Sequence, residues 1–238
     1  MYHSVSSADE KPFSIMGLPS TIKLRLNIVS PQSFDRQMGF LRNNGYHVIS
    51  LDEYVRENTQ RKKFPHNTVV ITFDDGYADN YTNAYPILKK YHIPATIFLI
   101  SDYVGKSPEL LNWDQVKEMN AYGIDFESHT RHHVYLPSQT KAQIKDEIAG
   151  SKQAIEEHLG KPVYYIAYPT GGFSEEIKAI TALAGYKAAL TTNRGYDRFD
   201  IDLYELSRIR ADNWDNDFTF ASKVSGFYNL FRPLRASH

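Results

Sequence analysis

The chain has 238 residues, of which 42% are hydrophobic and 23% are charged, and these values exclude a disordered or collagen-like protein. Lysine and arginine (27) balance aspartate and glutamate (28), so the composition indicates no nucleic-acid partner, which would require a basic surface. Cysteine is absent from the sequence, which excludes disulfides, thiolate nucleophiles and zinc fingers. No apolar run is long enough for a transmembrane segment, and residues 1–30 contain no signal-peptide core.

Short apolar runs alternate with amphipathic stretches along the chain. Seven of these runs are predicted to be strands: His47–Ser50, Thr68–Phe73, Ala95–Ile100, Ile124–Ser128, Val163–Tyr168, Lys187–Thr192 and Leu206–Ala211. An eighth strand is expected to end at His3. Because this strand would stand at the very start of the chain, we expect further residues to precede Met1.

Helix-start signals stand before the amphipathic stretches that separate the predicted strands. Ser30 precedes one helix, and Thr140 with Gln143 forms a capping box for the longest, which ends at Gly160. The alternation predicts an α/β fold in which helices cover a barrel of about seven parallel strands, closed or nearly closed. An open doubly wound sheet is the alternative. No linker or repeat divides the chain, so residues 1–238 are expected to form a single domain.

Reactive side chains follow the predicted strands, at the ends where parallel α/β folds carry their sites. They stand in five loops: Tyr2-His3, Asp74-Asp75, His129–His133, Tyr168–Gly172 and Asp212 with Trp214. Because all strands of such a fold point the same way, we expect these loops to meet at one rim.

Asp74 and Asp75 are adjacent carboxylates, which repel one another and cost several kcal/mol to bury without a cation or a proton. The alternative is that one of them caps the following helix. A glycosidase pair is excluded, because its two carboxylates stand about 5–9.5 Å apart across a sugar bond. A cation held by one carboxylate, with the other left free as a base, resolves the repulsion.

His129 and His133 offer imidazole ligands for such a cation. Histidines four residues apart converge if the segment turns helically, and neutral imidazole suits Zn²⁺ and neighbouring transition metals. With Asp75 they make a set of two histidines and one carboxylate, which leaves coordination positions open, as in catalytic zinc sites. His132 lies off that face and is interpreted as a packing or solvated residue.

Three segments of the sequence resemble the motifs of a known family. Thr72–Tyr77 (TFDDGY), Ser128–His133 (SHTRHH) and Ala167–Gly171 (AYPTG) resemble the first three motifs of polysaccharide deacetylases, carbohydrate esterase family four. The likeness runs from about Phe34 to Ala211. It implies a distorted (β/α) barrel and the hydrolytic removal of N- or O-acetyl groups from sugar polymers.

The resemblance also implies a role for each motif residue. Asp74 corresponds to the catalytic base, and one divalent metal ion, with Zn²⁺ favoured over Co²⁺ or Ni²⁺, would be held by Asp75, His129 and His133. The substrate groove and the oxyanion site would be lined by Tyr168, Pro169, Thr170 and Gly171. The fourth motif of the family corresponds loosely to Asp212 and Trp214.

The sequence departs from the family pattern at two places. Ala167 stands where many members have an arginine, so another residue must orient Asp74, and Arg208 and Arg210 are the candidates. No Leu-His-Asp motif follows near the C-terminus. Instead His3 stands at the start, as in a circularly permuted branch that resembles the deacetylases of poly-β-1,6-N-acetylglucosamine, and it is predicted to be the general acid. The alternative is a flexible N-terminal histidine.

The expected function is therefore metal-dependent removal of N-acetyl groups from an N-acetylglucosamine-containing extracellular polysaccharide. The poly-β-1,6-linked polymer is favoured, with peptidoglycan and chitooligosaccharides as alternative substrates. A sugar-binding protein that keeps the metal but turns over poorly is the alternative from another class, and Ala167 is the feature that favours it. An extracellular or cell-surface location is expected from the substrate class, and nothing in the sequence reports on the oligomeric state.

Overall fold

The computed structural model describes residues 1–7, 28–195 and 201–226. The strands of these residues are β1 (Ser4–Val5), β2 (Ile28–Val29), β3 (His47–Ile49), β4 (Thr68–Val70), β5 (Thr72–Phe73), β6 (Thr96–Leu99), β7 (Asp125–Ser128), β8 (Tyr165–Ala167) and β9 (Ala188–Leu190). The α-helices are α1 (Pro31–Asn43), α2 (Leu51–Thr59), α3 (Tyr85–Tyr91), α4 (Trp113–Tyr122), α5 (Lys141–Lys145), α6 (Ser151–Leu159), α7 (Glu175–Leu183) and α8 (Asp217–Val224).

The central sheet is parallel and contains five strands in the order β5-β6-β7-β8-β9. Each strand lies beside its neighbour in sequence, and a helical connection runs between each pair, so the carboxyl ends of all five strands meet at one edge. Strands β1 and β2 form a separate parallel pair, as do β3 and β4. The predicted α/β class with a parallel sheet is confirmed.

Two extended segments, Met1–Tyr2 and Leu206–Ala211, carry the sheet towards closure. The first forms a parallel bridge to β5 and the second a parallel bridge to β9, at opposite edges of the sheet. The two segments are joined to each other by a hydrogen bond of 2.8 Å from the backbone nitrogen of Met1 to the carbonyl of Ile209. Five strands and two bridging segments therefore form a distorted ring.

The strand count of this sheet is lower than the seven predicted. The predicted strand Thr68–Phe73 changes partner at Ile71, so that β4 pairs with β3 while β5 pairs with β6. The predicted strand Leu206–Ala211 makes only a bridge in place of a full ladder. Short segments with a partner on each side can close a barrel without meeting the definition of a strand.

The helices form where the sequence predicts them, with one irregularity. Helix α1 begins after the N-cap Ser30, whose side chain accepts a hydrogen bond from Ser33 N at 3.2 Å, and its residues Phe34 and Met38 are fully buried against the sheet. The predicted long helix after Thr140 forms as α5 and α6, separated by a π-helical turn at Asp146–Gly150. Among the described residues, no helix is long and apolar enough to cross a membrane.

Candidate active site

Asp74 and Asp75 follow β5 directly and lie in a sharp turn at the carboxyl edge of the sheet. Asp75 has a φ of 74°, a left-handed conformation that costs a non-glycine residue about 1–2 kcal/mol and that aspartate tolerates best together with asparagine. Both carboxylates are nearly fully buried. Neither residue caps the following helix, because that helix, the π-helical turn Asn80–Ala84, has Asp79 at its N-cap position. The helix-cap alternative is therefore wrong.

Asp75, His129 and His133 converge into one cluster of ligand atoms. Asp75 Oδ1 lies 3.4 Å from His129 Nε2 and 3.4 Å from His133 Nε2, and all three atoms lie within 4.8 Å of one another. Ligand atoms held about 2.1 Å from a tetrahedral Zn²⁺ are themselves about 3.4 Å apart, so the two distances from Asp75 Oδ1 to the histidine nitrogens fit such an ion. Asp75 Oδ1 is buried and has no hydrogen-bond partner, which is the expected condition of an oxygen prepared for a cation.

The tautomer of His129 also suits a metal. Its Nδ1 lies 2.7 Å from the carbonyl oxygen of Ala167, which can only accept, so Nδ1 carries the proton. Nε2 is then the nitrogen with a free lone pair, and it is the atom that faces Asp75. A backbone carbonyl that fixes the outer nitrogen of a ligating histidine is a common support of metal sites.

The segment from His129 to His133 is not helical, so the two histidines converge without the helical turn that was the condition for their convergence. Thr130 and His133 have φ values of 66° and 56°, so the chain bends through left-handed positions. Thr130 Oγ1 accepts a hydrogen bond from His133 N at 3.1 Å and closes the bend. His132 turns away from Asp75, and its Nδ1 lies 2.7 Å from Glu147 Oε1.

Asp74 is held by Arg208 in a buried bidentate ion pair. The Nη1–Oδ1 and Nη2–Oδ2 distances are 2.6 and 2.8 Å, and Nε of Arg208 donates to the carbonyl of Thr191 at 2.8 Å. Burial by itself would raise the pKa of Asp74, but the guanidinium charge outweighs it and holds this pKa at about 2. Arg210, the other sequence candidate, instead pairs its Nε with Asp212 Oδ1 at 2.9 Å.

His3 lies beside this ion pair. Its Nε2 is 3.9 Å from Asp74 Oδ2, and its side chain is only 14% exposed, so the flexible-histidine alternative is wrong. Burial lowers the pKa of His3, although the charges of Asp75 and Asp74 oppose that shift. Its Nδ1 is buried and has no hydrogen-bond partner among the described residues.

Two residues that the sequence motifs do not identify, Asp79 and Asn80, hold the backbone around His3. Asn80 Nδ2 donates to the carbonyl of His3 at 2.8 Å, and Asp79 accepts from Ser4 Oγ at 2.6 Å and from Val5 N at 2.9 Å. Both side chains come from the start of the π-helical turn that follows the Asp74-Asp75 loop. The signal in the sequence is the polar pair Asp79-Asn80, which stands just after the first motif, Thr72–Tyr77.

The third-motif loop departs in part from its predicted role. The side chain of Tyr168 is fully buried, stacks on Phe173 and points its hydroxyl at Thr181 Oγ1, 3.5 Å away, so its ring does not line a groove. Pro169 is also buried. Thr170 is exposed and has a φ of 54°, which leaves its backbone accessible at the rim.

Asp212 and Trp214 lie outside the cluster of buried charges. Asp212 accepts a hydrogen bond from Lys223 Nζ at 2.8 Å in addition to its ion pair with Arg210. Its carboxylate therefore links the extended segment Leu206–Ala211 to α8. The side chain of Trp214 is 90% exposed. The structure brings neither side chain into contact with Asp74 or Asp75.

Known proteins resemble this chain in sequence. The sequence model of the polysaccharide deacetylase family matches residues 61–189. The chain is similar to the Bacillus subtilis protein YxkH, with 38% identity over 211 residues, covering 89% of this chain and 70% of that protein. It is also similar to the poly-beta-1,6-N-acetyl-D-glucosamine N-deacetylase of Staphylococcus epidermidis, with 31% identity over 95% of this chain and 82% of that one.

A solved structure shows the same fold. The deacetylase PplD of Streptococcus pyogenes, determined in complex with acetate, superposes with a TM-score of 0.82 and 30% sequence identity. The superposition covers 94% of this chain and 95% of that chain.

Proposed function

The chain belongs to the polysaccharide deacetylase family, and on that premise we propose that it removes N-acetyl groups from a poly-β-1,6-N-acetylglucosamine-type polymer by metal-assisted hydrolysis. The observation that carries this proposal is that a fixed carboxylate and a metal-ligand set lie in one buried centre. The carboxylate is that of Asp74, which Arg208 holds, and the ligand set consists of Asp75, His129 and His133. A base beside a metal site with open positions is what hydrolysis of an amide requires.

The ligand set supports a divalent metal ion, with Zn²⁺ favoured over Co²⁺ or Ni²⁺. Two imidazoles and one carboxylate suit all three ions, and Zn²⁺ is the one that most often takes this set in hydrolases. When bound, such an ion lowers the pKa of a coordinated water and polarises the acetyl carbonyl.

Asp74 is the proposed general base. It accepts the proton of the water that attacks the acetyl carbon, so that a C–O bond forms as the proton moves to a carboxylate oxygen. Arg208 is the proposed positioning residue, because its two hydrogen bonds fix the plane of the carboxylate and its charge keeps Asp74 ionised.

His3 is the proposed general acid. As the C–N bond breaks, it gives its proton to the sugar nitrogen, which then leaves as an amine rather than as an unstable anion. The backbone N–H near Thr170 is the proposed oxyanion donor, and one good donor of this kind is worth about 3–4 kcal/mol. The products are acetate and a glucosamine unit.

Substrate and location rest on the relatives. The Staphylococcus epidermidis relative is named for poly-β-1,6-linked N-acetylglucosamine, and it aligns with 95% of this chain. Since such a polymer lies outside the cell, we propose an extracellular or cell-surface site of action. The binding-protein alternative has lost the feature that favoured it, because Arg208 supplies the guanidinium that Ala167 does not.

Acetate release tests this proposal. The protein, loaded with Zn²⁺, is incubated with β-1,6-linked N-acetylglucosamine oligomers and, in parallel, with chitin oligomers and peptidoglycan fragments. We expect chelator-sensitive release that is fastest from the β-1,6-linked oligomer. Faster release from chitin or peptidoglycan would overturn the substrate, and no release from any of them by the metal-loaded protein would overturn the activity.

A further inference from the structure

The bend that carries His129 and His133 depends on partners outside itself. Because it is neither helix nor strand, its buried backbone N–H groups have no regular acceptors, and each of them must find one elsewhere. Glu147 accepts two of them through one oxygen: Arg131 N and His132 N both lie 2.9 Å from Glu147 Oε2. Glu147 is only 6% exposed, so these are buried, charge-assisted hydrogen bonds.

The second oxygen of Glu147 holds the side chain of His132. Glu147 Oε1 lies 2.7 Å from His132 Nδ1, and Nε2 of the same ring lies 3.3 Å from Asp102 Oδ2. The imidazole of His132 is thereby fixed between two carboxylates on the side of the bend that faces away from Asp75. All three contacts of Glu147 fall on the middle of the bend, between the two ligating histidines.

Glu147 owes its position to the π-helical turn Asp146–Gly150. Such turns insert one extra residue into a helix and are found frequently at functional sites. Arg131 crosses this turn over Gly150, where a Cβ atom would lie 2.7 Å from Arg131 Cδ, and its Nη1 pairs with Asp146 Oδ2 at 2.7 Å. The turn and the bend are therefore fitted to one another along their length.

We propose that Glu147 is a positioning residue of the metal site. By accepting the backbone N–H groups of the bend, its carboxylate sets the spacing of His129 and His133 and so the affinity for the metal. This inference rests on the proposed function, since it requires that Asp75 and the two histidines bind a divalent ion. The alternative is that the carboxylate of Glu147 stabilises the fold without affecting the geometry of the metal ligands.

Co²⁺ binding distinguishes the two roles, because its visible absorption reports ligand geometry independently of turnover. Glu147→Ala removes all three contacts, whereas Glu147→Gln keeps one oxygen that can accept both backbone N–H groups. Glu157→Gln is the matched control, since Glu157 is an exposed carboxylate of α6 that accepts a hydrogen bond from Gln153 Nε2 at 2.8 Å. The measurements are the Co²⁺ affinity by competition with a chelator and the absorption spectrum of the Co²⁺ form.

We expect Glu147→Ala to weaken Co²⁺ binding about 10–100-fold and to alter the spectrum, as loss of an outer support of metal ligands does. Glu147→Gln should lie between Glu147→Ala and the wild type, and Glu157→Gln should match the wild type. If folded Glu147→Gln and Glu147→Ala bind Co²⁺ with unchanged affinity and spectrum, the inference is overturned, even if both melt earlier. If Glu147→Ala does not fold, Glu147→Gln decides. A wild-type protein that binds no Co²⁺ would overturn the metal site itself.

Discussion

The ion pair of Asp74 and Arg208 is the residue-scale feature on which the proposed chemistry depends most. An isolated carboxylate buried to this degree would take up a proton, and a protonated Asp74 could not act as a base. Arg208 prevents this by charge and by two hydrogen bonds, and it approaches from the closing segment rather than from the third motif. An arginine at position 208 can therefore make the contact with Asp74 that an arginine at the position of Ala167 would make, because only the position of the guanidinium matters.

Replacing Arg208 should separate its two effects on Asp74. In Arg208→Ala the pKa of Asp74 rises, so the acid limb of kcat/KM moves to higher pH, and kcat falls about 100-fold or more. Arg208→Lys keeps the charge but loses the bidentate fork, so kcat should fall while the acid limb moves less. Arg210→Lys is the control and should resemble the wild type, since Arg210 pairs with Asp212. An unchanged pH–rate profile in Arg208→Ala would remove Arg208 from this role.

At the scale of elements, the loops after the strands carry unusual backbone conformations. Asp75, Thr130, His133 and Thr170 all have positive φ values, and all of them lie in the loops of the three motifs. Each such position costs of order 1–3 kcal/mol, a strain that is retained where it shapes a site. Gly171, with a φ of 77°, completes the same pattern.

Gly171→Ala should show that the third-motif loop tolerates no side chain at this point. A Cβ there would clash with Thr192 Oγ1 and would lie 2.9 Å from Thr192 N, so the loop itself must move. Gly45→Ala is the control, because Gly45 has a φ of 69° but no atom within 4 Å of the added carbon. We expect Gly171→Ala to cost about 1–3 kcal/mol more than Gly45→Ala in urea unfolding and to lower kcat/KM. Equal losses in the two variants would show that the contact with Thr192 is unimportant.

The sequence sufficed to identify the motifs, but it could not fix how the chain reaches them. The spacing of His129 and His133 predicts that they converge only if the segment turns helically. A separation of four residues limits the distance and not the path, and the chain takes a bend held by Glu147. Arg208 and Arg210 could not be told apart either. Residues two apart on an extended segment point to the same side, so the choice depends on contacts of their tips with Thr191 and Asp212.

At the scale of the whole molecule, the start of the chain closes the sheet and delivers His3. Tyr2 is 2% exposed, its ring centroid lies 5.4 Å from that of Phe73 and 5.1 Å from that of Phe34, and its hydroxyl donates to Gln37 Oε1 at 2.9 Å. This packing anchors the residue next to the proposed acid in the core. The segment Met1–Tyr2, which closes the barrel, therefore also positions His3.

Tyr2→Ala should consequently affect stability and catalysis together. Loss of a buried aromatic ring costs about 3–5 kcal/mol, and the freed segment should also lower kcat by loosening His3. Tyr2→Phe keeps the ring and loses only the hydrogen bond to Gln37, so it should cost about 1 kcal/mol and leave kcat near the wild-type value. Urea unfolding and acetate release measure both effects. A Tyr2→Ala variant with wild-type kcat would show that His3 is placed by other contacts.

Acid should destabilise the protein through the same centre. The pKa of Asp74 is about 2 in the folded chain against 3.8 in the unfolded one, so the unfolded state binds protons first as the pH falls. The stabilisation is complete above about pH 4 and is lost as the pH falls from there towards 2. We expect the metal-free Asp74→Asn variant to show a flatter decline of unfolding free energy over this range. An identical decline in both proteins would show that Asp74 does not contribute to it.

If Asp74 is the base while Asp75, His129 and His133 hold the metal, two variants should separate the loss of the base from the loss of the metal. Bound zinc and acetate release are measured together for Asp74→Asn and His129→Ala. Asp74→Asn should keep a full equivalent of zinc and release almost no acetate, whereas His129→Ala should lose both the zinc and the activity. An active Asp74→Asn protein, or a His129→Ala protein that retains both metal and activity, would contradict this assignment of roles.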